Sequence, residues 1–201
     1  MQPLSVKSNN LSIEEQQKAA AANDAYVQQN HPNETFISTT KQLQEISHRT
    51  KRLVLPPNVK VAESRANLRS NEQQRTLKKE LKQSSILSRY GNSVYLTPEY
   101  NLFNRRVTDA VVNGVPYEFR NITGSAKKIE KNFADAKQKG NDVNVFLHIE
   151  RDVNMNEAWR RVGLVLERHL EYTGKVIVSI RDGRPRYWNT SSFRQAKKSL
   201  P

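Results

Sequence analysis

The pair Asn113-Gly114 constrains this chain more than any other two neighbours in it. It separates Val111-Val112 from Val115, Tyr117 and Phe119, and Asn-Gly is the pair best suited to the left-handed backbone of a two-residue turn. Residues 109–120, DAVVNGVPYEFR, are therefore predicted to form a hairpin. Side chains alternate along a strand, so Tyr117 and Phe119 share one face and Glu118 and Arg120 the other. A two-residue turn sets Asp109 opposite Glu118. The hairpin thus offers Asp109, Glu118 and Arg120 on one face of a sheet. Pro116 has no amide hydrogen to give, which suits an edge strand or an outward-facing position.

The chain on either side of the hairpin punctuates clearly. Ser12 with Glu15 forms a capping box before an Ala-rich helix that has few large apolar groups to bury, and Asn30-His31-Pro32 ends it. A second weak helix is expected over Ser38 to Lys51, and Pro56-Pro57 breaks the pattern after it. From Ser70, Leu77, Leu81 and Leu87 recur near helical spacing until Gly91. NSVYLTPE reads as a short strand carrying Val94 and Leu96. Ser125 is placed to cap a helix through Ile129, Phe133 and Ala136 that stops at Gly140. DVNVFLHI is a nearly continuous apolar run suited to a central strand. An amphipathic helix follows through Trp159, Val162, Leu166 and Leu170, then KVIVSI and RYW around Asp182-Gly183. This order predicts an α/β (α+β) fold with a mixed central sheet and flanking helices. Residues 1–65 read as a polar N-terminal arm, partly helical or disordered, and residues 66–201 as the folded basic domain.

Charge separates the same two regions. Lys and Arg exceed Asp and Glu by 13 over 201 residues, yet residues 1–60 hold 7 basic and 5 acidic side chains while 61–201 hold 26 and 15. A folded region with that surplus favours a polyanion, nucleic acid first and anionic lipid second. No apolar run approaches the length of a membrane span and no signal segment opens the chain, so a cytoplasmic protein is expected. With no cysteine there is no disulfide, thiolate zinc site or cysteine nucleophile, and the scattered His31, His48, His148 and His169 do not pair as zinc ligands.

Three chemistries fit these residues. In the first, Asp109 and Glu118 hold a divalent metal, Mg²⁺ by preference, while Arg120 neutralises a scissile phosphate and Glu80 supports them from its helix. The guanidinium of Arg120 stays protonated, so it can stabilise charge but cannot lend a neutral amine to water. Glu80 could equally be a helix-surface acid beside Lys78, Lys79 and Lys82. The second is a metal-independent RNase of the barnase, EndoU or colicin type, with His148 as general acid or base near Arg151, although a lone strand histidine is also a common structural residue. The third is a non-catalytic basic protein that binds nucleic acid or associates with a capsid. Nucleic acid would meet Lys127, Lys128 and Lys131 at the start of their helix, and Arg181, Arg184, Arg186 and Tyr187, where cations interleave with aromatics. Trp188 reads as a core residue.

Glu80, Ser84, Leu87, Gly91 and Val94, then Asp109, Asn113-Gly114 and Glu118-Phe119-Arg120, then Ser125, Ile129, Ala136 and Gln138 leading into VNVFLHI, resemble a family. They are similar to the C-terminal nuclease domains of contact-dependent inhibition toxins and related polymorphic toxins, over roughly Leu77 to Trp188. The resemblance implies a small restriction-endonuclease-like fold of the PD-(D/E)XK type that cleaves RNA, commonly tRNA, with a divalent metal. It also implies delivery into a target bacterial cell, an origin in bacteria or their mobile elements, and an immunity protein or a carrier or capsid partner engaged through the N-terminal arm. Where the family has Lys, this chain has Arg120.

Overall fold

A computed structural model of the chain describes residues 10–99 and 108–190. Its elements are α1 (Ile13–Asn30), β1 (Phe36–Ile37), α2 (Thr40–Ile46), β2 (Val59–Ala62), α3 (Glu63–Ala66), α4 (Asn71–Ser88), β3 (Val94–Leu96), β4 (Ala110–Val112), β5 (Val115–Ile122), α5 (Lys127–Lys137), β6 (Asn144–Ile149), α6 (Met155–Arg168), β7 (Lys175–Ile180) and β8 (Arg186–Asn189). Parallel and antiparallel pairing both occur, so the predicted mixed α+β class holds. Two compact units divide within β5, residues 10–117 in one and 118 onwards in the other.

In the first unit, β1 and β2 are antiparallel with Ile37 opposite Val61, and β2 runs parallel to β3 with Val61 opposite Leu96. Parallel neighbours need a crossover, which α3 and α4 supply. β3 is antiparallel to β4, and β4 pairs with β5 in the register of a two-residue turn: Val112 opposite Val115, Val111 opposite Pro116, Ala110 opposite Tyr117. Asn113 and Gly114 both have positive φ, 52° and 81°, as that turn requires. Leu77, Leu87, Val61, Tyr95, Leu96 and Val111 are buried in this unit.

Residues 10–66 are structured and partly helical. They form five elements of the first unit, because α1 docks through a stripe of small and polar groups instead of large apolar ones. Ala19, Asn23 and Val27 are its buried residues, one helical turn apart. Asn23 donates from Nδ2 to Ser93 Oγ at 3.0 Å and accepts the Gly114 amide at 2.6 Å, so the helix caps the hairpin turn. A methyl group on Gly114 would stand 2.8 Å from Ala22 Cβ, which makes this contact a second reason for glycine there. β1 and β2 were not expected, and Asn58, at φ 57°, turns the chain out of Pro56-Pro57 directly into β2.

The second unit packs α5 and α6 with a sheet in which β6 and β7 are parallel, His148 lying opposite Ser179, and β7 and β8 are antiparallel. Ile129, Phe133, Ala136, Trp159, Val162, Leu166 and Tyr172 bury the apolar faces of its helices and the loop after α6. Phe133 meets Tyr172 edge-on with ring centroids 5.3 Å apart. Trp188 packs on Trp159, in keeping with a core role. α5 begins one residue later than expected: Ala126 is its N-cap and Ser125 accepts from Lys128 through its backbone carbonyl.

Candidate functional site

The first unit gathers charge at one buried point. Glu80 lies on the inner face of α4, not on its surface, and Asp109 stands just before β4; both are buried. Between them is Arg65, from α3, with its side chain only 4 % exposed. Arg65 donates from Nε to Glu80 Oε2 at 2.9 Å and from Nη2 to Glu80 Oε1 at 2.5 Å, a bidentate pair. Nη1 donates to the Thr97 carbonyl at 2.7 Å, and Nη2 lies 3.7 Å from Asp109 Oδ1. Burial works against the Arg65 charge, but Glu80, with Asp109 and Glu99 behind it, raises the guanidinium above its ordinary value. Burial also pushes the Glu80 carboxyl up, against the pull of Arg65. Nothing in the sequence distinguished Arg65 from the other basic residues, since α3 is a single turn in a polar stretch.

The second unit holds a buried carboxylate of its own. Glu118, on β5, is fully buried, so that position is not part of a solvated charged strand face. Its Oε2 lies 2.5 Å from Lys139 Nζ and 3.4 Å from Arg120 Nη1, within ion-pair reach of both. These two cations remain 28 % and 21 % exposed. One buried carboxylate therefore stands beside two cations whose side chains are partly exposed. Lys139 follows the end of α5, in a sequence context that indicated only a helix stop.

His148 is fully buried, and its Nδ1 is 2.9 Å from Ser179 Oγ. Arg151 is exposed just beyond β6. Lys127, Lys128 and Lys131 lie exposed on α5, opposite the buried Ile129, Phe133 and Ala136. Of the C-terminal group, Arg181 and Arg186 are exposed, while Arg184 and Tyr187 are half-buried; Arg181, at φ 49°, lies 3.6 Å from Asp152.

A divalent ion does not fit the carboxylates as they stand. Glu80 gives both oxygens to Arg65, Asp109 faces the same guanidinium, and Glu118 is engaged by Lys139 and Arg120. Among the described residues, no three acidic, His or Cys side chains are grouped to hold a metal. No described helix is long and apolar enough to cross a membrane.

No protein family and no curated protein matches the chain. Among solved structures, it is similar to a chain of the CdiA-CT/CdiI toxin and immunity complex from Burkholderia pseudomallei, with 19 % identity over 61 % of this chain and 90 % of that one, at a TM-score of 0.44.

Proposed function

We propose that the chain is a toxin-like nuclease that hydrolyses phosphodiester bonds in RNA, with tRNA the favoured substrate. The observation that carries this reading is the buried Glu118 carboxylate paired with both Arg120 and Lys139, whose side chains are partly exposed. As water or a 2′-hydroxyl attacks phosphorus, negative charge grows on the non-bridging oxygens. Two cations already fixed in place stabilise that charge without reorganising. Glu118 is a positioning residue here: it orients the cations and does not touch the substrate. The surplus of basic groups supplies the attraction that brings a polyanion to them. The expected metal role of Asp109 and Glu118 is given no step, because both face cations of the chain itself. As a toxin, the protein would act inside a target bacterial cell and need an immunity partner that covers its basic surface.

The test is incubation with tRNA, total RNA and plasmid DNA, each with Mg²⁺ and with EDTA. RNA cleavage is expected. Arg120→Met and Lys139→Met should each lower its rate by about 10² to 10³. Cleavage that survives both substitutions would reject this site. Binding without cleavage in every lane would replace the nuclease with a nucleic-acid-binding protein.

A further inference from the structure

We infer that Arg65 is the resident cation of the Glu80–Asp109 carboxylate pair and that it keeps divalent ions out of it. The inference goes beyond the proposed nuclease activity and stands whether or not the chain cleaves RNA.

Both Glu80 oxygens accept from the guanidinium, at 2.9 and 2.5 Å, and Asp109 Oδ1 is 3.7 Å from the same nitrogen that binds Glu80 Oε1. A divalent ion bridging the two acids would need those oxygens at about 2.0–2.6 Å from its centre, in the direction Arg65 fills. The third arm of the guanidinium is tied to the Thr97 carbonyl, so the side chain is held from α4, from the end of β3 and from the residue before β4. Arginine does not lose its proton in any ordinary pH range, so only physical displacement can vacate the position.

The surroundings would accept an ion if Arg65 were gone. Glu80, Asp109 and Glu99 all act on this one guanidinium, and Glu80 and Asp109 are themselves buried. One turn along α4 from Glu80, the buried Ser84 Oγ, an oxygen able to ligate a cation, has no hydrogen-bond partner among the described residues. That helix face therefore has polar capacity beyond what Arg65 uses. The chain has settled a competition between a guanidinium and a divalent ion by placing the guanidinium in the fold.

The probe is Mn²⁺ alone, added to the full chain. In the wild-type protein the Arg65 Nε–H resonance should persist, unbroadened, at millimolar Mn²⁺, and calorimetry should find no Asp109-dependent ion site. Arg65→Met should gain one Mn²⁺ site and a melting temperature that rises with Mn²⁺, and Arg65→Met/Asp109→Asn should lose both. Paramagnetic broadening of the wild-type Arg65 signal, an Asp109-dependent site in the wild type, or a folded Arg65→Met without the new site would each overturn the inference. Should Arg65→Met not fold, the wild-type resonance and the Asp109→Asn comparison decide it.

Discussion

Asn23 is the residue on which the first unit's assembly depends most visibly. It sits on a helix with little apolar surface, and it spends its amide on two partners far away in sequence, Ser93 and Gly114. Removing the side chain leaves a half-buried backbone amide and a buried hydroxyl without this partner, and the loss at the buried hydroxyl alone costs about 1–3 kcal/mol. Asn23→Ala is thus expected to lower the unfolding free energy by at least that amount, measured by urea denaturation. An unchanged midpoint would mean that α1 is held by Ala19 and Val27 alone. The same residue explains a limit of reading the sequence. Asn23 is one polar residue in a polar helix, and its importance lies in contacts with residues 70 and 91 positions away, which no local pattern reports. Arg65 was hidden for the same reason. Glu80 and Asp109 stood out because their types and order suggested chemistry, whereas the arginine that joins them lies in a four-residue helix with no periodicity.

Elements with a strong local signature were legible, and those held by neighbours were not. The Asn-Gly turn fixed the register of β4 on β5, and the capping box at Ser12 and the helical spacing from Ser70 marked the starts of α1 and α4. β1, with two residues, and β2, directly after two prolines, carry too little pattern to stand out, and pairing with each other and with β3 makes them strands. Ion pairs around α5 and α6 give the second unit a pH dependence. Hydrogen bonding to Lys137 holds Glu171 down at about 2, and hydrogen bonding to Arg160, with Arg161, does the same for Glu157. Both carboxyls are depressed from 4.5, so the folded state holds fewer protons than the unfolded one between those values. Their stabilisation is therefore complete above about pH 4.5 and is lost as pH falls toward 2. Thermal melts across that window should show a fall in stability that Glu171→Gln and Glu157→Gln make shallower. A slope unaffected by the double variant would assign acid sensitivity to other groups.

For the whole molecule, charge is the property that ties sequence to function, and it makes a quantitative claim. A protein that neutralises phosphates releases their counterions, so the logarithm of affinity falls linearly with that of salt concentration, by about 0.7 per contact for a single strand. Lys127, Lys128 and Lys131 lie together on the exposed side of α5, while the other side of that helix is core. Replacing all three by Gln removes charge without touching Ile129, Phe133 or Ala136, so the fold should be kept. If these lysines contact the backbone of the RNA, the salt slope of binding should become shallower by about 2. Binding should weaken evenly across RNA sequences, because phosphate contacts carry no base information. The reaction would respond differently: with substrate at saturation the cleavage rate should stay near that of the wild type, since the proposed cations at phosphorus are Arg120 and Lys139. A salt slope equal to the wild type's would place the RNA elsewhere, with Arg181, Arg184, Arg186 and Tyr187 as the next surface to vary. A collapse of the saturated rate with an unchanged slope would move the α5 lysines from binding into the chemistry.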